Sequence, residues 1–136
     1  MGKNTDILKT FLNAEINKNM ESMASCLHDD FILDIVGPNE QIQGKTNFLN
    51  VMQKVFKDLK DWNLGVIRMI GNRDSIVVEF DGSGHFAGEF EGKLYSGVPI
   101  RSRSICVFDF EVGLIKKCAE YYDSQSFKQQ FLNTDQ

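Results

Sequence analysis

Residues 100–122 read IRSRSICVFDFEVGLIKKCAEYY. Two runs rich in β-branched and aromatic residues, 100–110 and 114–122, flank Glu111-Val112-Gly113, which is the pattern of an antiparallel hairpin. A three-residue loop with Gly113 in the left-handed conformation sets Phe110 opposite Leu114, Cys106 opposite Cys118 and Ser104 opposite Glu120. Strand alternation then lines one face with Ser104, Cys106, Phe108, Cys118, Glu120 and Tyr122, and sends Arg101 and Arg103 to the other.

Working upstream, 62–70 and 75–81 are further β-rich runs joined by Gly71-Asn72-Arg73-Asp74, a hairpin signal. Five glycines, Gly82, Gly84, Gly88, Gly92 and Gly97, follow before Pro99. They suit a bent strand or a flap. The first half of the chain is helical in pattern. Ile7, Leu8, Phe11, Leu12 and Ala14 recur at helical spacing over 5–17, and Met20, Met23, Ala24 and Leu27 mark a second short helix closed by His28-Asp29-Asp30. A short strand over 31–36 and the turn Gly37-Pro38-Asn39 precede a third helix over 46–59, with Phe48, Leu49, Met52, Val55, Phe56 and Leu59 on one stripe.

Helices first and a run of antiparallel strands after is the segregated α+β pattern. One strongly curved antiparallel sheet packed on the N-terminal helices and enclosing a pocket follows, in a single domain spanning 1–136. The 136 residues, 42% hydrophobic with eleven Phe, supply both a core and apolar cavity walls. A net charge of −4 with scattered basic residues argues against nucleic acid as a partner. No run approaches the ~18 apolar residues of a membrane span. Cys26, Cys106 and Cys118 are odd in number and lack metal-site spacing, so reduced thiols in a cytoplasm are expected and no metal or cofactor is called for.

Several segments together carry a family resemblance. GHFAGEFEG from Gly84, GVPIRSRSICVFDFEVGLIKK from Gly97 and the closing YYDSQSFKQQF resemble the SnoaL-like polyketide cyclases, a branch of the nuclear transport factor 2-like superfamily. CLHDDFILDI and GKTNFLNVM fit the same arrangement. The resemblance implies a cone-shaped α+β barrel, a closing helix, and a homodimer formed through the sheet. It also implies a pocket for a small hydrophobic molecule, either in a cofactor-independent cyclase or isomerase acting on a hydrophobic carbonyl compound, or in a non-catalytic binding or interaction module.

Position by position, the resemblance places Phe11 where the ketosteroid isomerases of the superfamily need a tyrosine. Ile35 stands where they need an aspartate base, and Cys106 where they need an acid. Phenylalanine has no hydroxyl to donate and isoleucine takes no proton, so that isomerisation is not supported. The cyclase pattern instead places an acid on the final strand, at Glu120, whose burial in an apolar cavity would raise its pKa toward the useful range. A charged rim residue is the competing reading of Glu120. His85 stands where the cyclase pattern has a histidine and is the second catalytic candidate, with a solvent-facing strand residue as the alternative. Phe11, Ile35, Trp62, Ser104, Cys106, Phe108, Cys118 and Tyr122 are the expected pocket lining. Asp34, next to Ile35, is expected to point away.

Overall fold

The computed structural model describes residues 2–134. Its elements run α1 (Gly2–Ile16), α2 (Met20–Ser25), β1 (Leu27–Ile35), β2 (Glu40–Gln43), α3 (Lys45–Asp58), β3 (Leu59–Gly71), β4 (Ser75–Phe90), β5 (Lys93–Glu111), β6 (Leu114–Tyr122) and α4 (Ser124–Thr134). The β5–β6 hairpin anticipated from 100–122 is present, with β6 at the expected bounds and β5 extended back to Lys93.

Its register differs from expectation. The turn holds two residues, Val112 and Gly113, both with positive φ, so Glu111 faces Leu114. This is the primed geometry whose twist matches that of the flanking strands. A bulge beyond Asp109 then places Phe108 opposite Cys118, Cys106 opposite Glu120 and Ser104 opposite Tyr122. The net displacement is two residues, so every side chain keeps its predicted face.

The six strands form one open sheet in the order β2-β1-β6-β5-β4-β3. It is mixed rather than wholly antiparallel, because β1 runs parallel to β6. The helices between β1 and the C-terminal strands make that parallel pairing possible, whereas a hairpin could not. β2, four polar-rich residues of which only Ile42 is half-buried, folds back on β1 and carries too weak a hydrophobic pattern to be read as a strand. The second helix ends at Ser25, earlier than its spacing suggests, and Leu27 and His28 begin β1. His28 therefore does not close a helix; its Nδ1 accepts a bond from the Asp30 amide at 3.0 Å.

The glycine-rich stretch is strand rather than flap, continuing β4 to Phe90. Gly82 and Gly84 are there for Trp62: a methyl group on Gly82 would lie 2.7 Å from the indole. Without side chains at these two positions, the ring lies directly against the β4 backbone.

The concave face holds the core. Leu8, Phe11, Met23, Phe31, Ile76, Val78, Phe108 and Ile115 are buried between α1, α2, α3 and the sheet. A second cluster forms where α4 returns: Phe131 is buried against Phe86, Phe90, Tyr95 and Phe127, and stacks on Phe90 at 4.1 Å. α4 is started by Asp123, whose carboxylate accepts from the amides of Gln125 and Ser126 at 3.1 Å each. The Ser126 hydroxyl, donating at 2.7 Å, and then these capping amides hold the Asp123 carboxyl below its ordinary pKa. Gln130 then fixes the helix to β5, accepting from the Arg101 amide at 2.6 Å and donating to its carbonyl at 2.8 Å.

Candidate active site

Between α1, α3 and the inner sheet face lies a cavity of about 720 Å³, within the usual range of small-molecule pockets. Every expected lining residue reaches it: Phe11, Ile35, Trp62, Ser104, Cys106, Phe108, Cys118 and Tyr122, together with Glu120. The bulge in β3 between Lys60 and Asn63, with Asp61 at φ 52°, is where Trp62 enters the wall.

His85 is elsewhere. Alternation along β4 leaves it exposed and outside the cavity lining, with Nδ1 3.6 Å from the Asp61 carboxylate. Asp34 likewise points away, toward Lys117 at 3.9 Å.

The residue that the sequence reading passed over is Glu15. On α1 it stands one helical turn after Phe11, so the two share a face and both line the cavity. The available signal was a charged residue following the apolar stripe Leu8, Phe11, Leu12 at i+4 spacing. Glu15 is half-buried. Burial, and then the charge of Glu120, push its carboxyl up to about 7. Burial alone raises Glu120.

Of two like charges in one enclosed space only one ionises readily, and Glu120 is the first to do so. Among the described residues, neither carboxyl has an ion pair or a hydrogen-bond donor aimed at it. Cys106, directly opposite Glu120, gives a hydrogen bond with Cys118 that, with burial, raises the Cys118 thiol well above its ordinary pKa. The Cys118 thiol is therefore a poor nucleophile at neutral pH. The Tyr122 phenol is raised by burial and by the charges of Glu120 and Glu40.

A curved sheet backed by helices is the fold shared with a nuclear transport factor 2-like protein of Cytophaga hutchinsonii ATCC 33406, at a TM-score of 0.68 and 17% identity over 90% of this chain and 92% of that one. Within this fold, residues 6–131 match the SnoaL-like polyketide cyclase family, and the chain belongs to that family. No curated protein matches it by sequence.

Among solved structures, a Shewanella denitrificans OS-217 protein assigned to the SnoaL-like polyketide cyclases superposes with a TM-score of 0.87 at 11% identity, over 98% of this chain and 99% of that one. An LEH-like epoxide hydrolase of M. tuberculosis superposes at 0.78, with 16% identity over 96% and 90%. A Kribbella flavida DSM 17836 protein assigned as a ketosteroid isomerase gives 0.70, with 16% identity over 89% and 78%. At such identities the likeness is one of fold, and reactions differ among the neighbours themselves. No helix among the described residues is long and apolar enough to cross a membrane.

Proposed function

We propose that the chain is a cofactor-independent cyclase or isomerase that moves a proton on a hydrophobic carbonyl compound, with Glu120 as base and Glu15 as acid. One observation carries this reading: two carboxyls of unequal proton affinity face the same apolar cavity. Near neutral pH, Glu120 is the carboxylate that takes a proton from the carbon next to the carbonyl. Glu15 holds the proton that the carbonyl oxygen needs as it gains charge. The resulting enol then takes a proton back at another carbon or closes on an electrophilic carbon. Phe11, Phe48, Trp62 and Phe108 hold the apolar body by contact alone.

Outside the cavity, Val77, Ile105 and Tyr121 form an exposed apolar strip on the convex sheet face. It supports a homodimer through the sheet. The three free cysteines suit a reducing compartment such as the cytoplasm.

The absence of hydroxyl or acid groups at Phe11, Ile35 and Cys106 favours the alternative, a non-catalytic module holding a small apolar ligand. Deuterium exchange separates the two. An apolar ketone such as 2-tetralone, incubated with the protein in D2O, is expected to lose its α-protons faster than in buffer, and Glu120→Gln to abolish the gain. A ketone shown to bind but exchanging only at the buffer rate sinks the catalytic reading.

A further inference from the structure

Charge inside the cavity is one-sided. The buried or half-buried ionisable groups of its wall are Glu15, Asp58, Glu120, Cys106, Cys118 and Tyr122, all of which are neutral or negative. The cation in its wall, Lys54, is exposed on α3, in a stretch that also supplies the half-buried Asp58.

A buried carboxylate is stable when a cation or several donors face it, and it is costly otherwise. Glu120 has neither among the described residues, and Glu15, half-buried and lining the cavity, is likewise without a partner. Beside them stands an aromatic wall. The Phe11 ring lies 6.5 Å from Phe48 and 6.3 Å from Phe108, and Phe11 shares the α1 face with Glu15. Aromatic faces attract cations, most strongly where water is excluded.

We propose that the cavity binds a hydrophobic amine, its ammonium group between Glu15 and Glu120 and its apolar body against Phe11, Phe48 and Phe108. The ammonium supplies the countercharge that the protein withholds, and its three N–H groups match the free carboxyl oxygens. A ligand whose carboxylate enters between Glu15 and Glu120 meets two acids, with Lys54 exposed on α3, and is rejected by repulsion and desolvation together. A neutral ligand of the same shape gains the apolar contact alone. This inference shares its two carboxyls with the acid/base reading but none of its chemistry.

Three probes with one body and different heads test it by calorimetry near neutral pH: 3-phenylpropylamine, 3-phenylpropan-1-ol and 3-phenylpropanoate. The amine is expected to bind at least about tenfold tighter than the alcohol, as a desolvated ion pair does over a neutral contact, with the carboxylate weakest. Glu15→Gln and Glu120→Gln are each expected to erase most of the amine's advantage while leaving the alcohol's affinity close to that of the unaltered protein. An alcohol that matches the amine, a carboxylate that binds tightest, an amine that does not bind, or an amine preference that survives both substitutions overturns the proposal. Amine binding without ketone exchange removes the acid/base reading alone, and exchange without amine preference removes this one alone.

Discussion

The two faces of β4, β5 and β6 treat carboxylates in opposite ways. On the convex face Asp81 accepts from Arg101 at 3.0 and 2.8 Å, and Glu79 pairs with Arg68 and Arg103 at 2.9 Å each. The hydrogen bond from Arg101 holds the Asp81 carboxyl below its usual pKa. On the concave face, burial raises Glu120 and, across the cavity on α1, burial and then the charge of Glu120 raise Glu15, with no such partner to offset it. An acid on the outside is thus paired and stays ionised. An acid on the inside keeps an unspent affinity for a proton or a cation, which is what chemistry or binding can use.

Breaking the inner face has the largest expected effect. Glu120→Gln removes the base and is expected to lower ketone exchange by about 10²–10⁴-fold, whereas Asp81→Asn, one strand pair away on the other face, leaves the rate as it was. The exchange rate itself is expected to peak near neutrality, falling as Glu15 loses its proton above about 7 and again as Glu120 gains one in acid. Exchange followed by NMR across pH reads both limbs.

Stability sharpens the contrast next. The folded chain holds the Glu15 proton to about 7, whereas an ordinary Glu releases it near 4.5. Folding therefore gains from this group below the lower value and loses that gain as pH rises through the higher one. The loss between acid and alkaline conditions amounts to as much as about 3 kcal/mol. Urea unfolding of Glu15→Gln is expected to show a flatter pH dependence and greater stability at alkaline pH than the unaltered chain.

A smaller effect is expected where the wall meets the sheet. Gly82→Ala forces a methyl group into the Trp62 indole and is expected to destabilise the fold by about 1–3 kcal/mol, as overpacking does, with a change in Trp62 fluorescence. Least of all, Arg101→Ala on the convex face opens an exposed ion pair. Its effect on the thermal midpoint is expected to be slight and to vanish in salt, because water already screens that pair.

Which of these features could be read from the chain follows from the range of the forces that set them. Face assignment in β5 and β6 needs only alternation, so Glu120, Cys106, Cys118 and Tyr122 were placed in the cavity even though the turn was read one residue too long. The bulge beyond Asp109 is a tertiary adjustment, and nothing local in VFDFEVG announces it. β2 is held by pairing with β1 rather than by any pattern of its own, and β1 begins at Leu27 because that segment pairs with β6. Glu15 was legible in principle, one turn beyond Phe11, but helical surface glutamates are commonplace. Only the sheet closing over that face of α1 makes it unusual. His85 shows the opposite failure, since a motif position suggested a role that alternation along β4 then directed to solvent.

The central claim is that the inner carboxyls are unpaired and bind a proton more tightly than ordinary glutamates do. Site-resolved carboxyl NMR titration of Glu15, Glu120 and Asp81 in one sample tests it most directly. The account predicts a Glu15 midpoint of about 7, a Glu120 midpoint above that of an ordinary glutamate, and an Asp81 midpoint below that of an ordinary aspartate. Ordinary exposed-carboxyl midpoints at both Glu15 and Glu120 would contradict it.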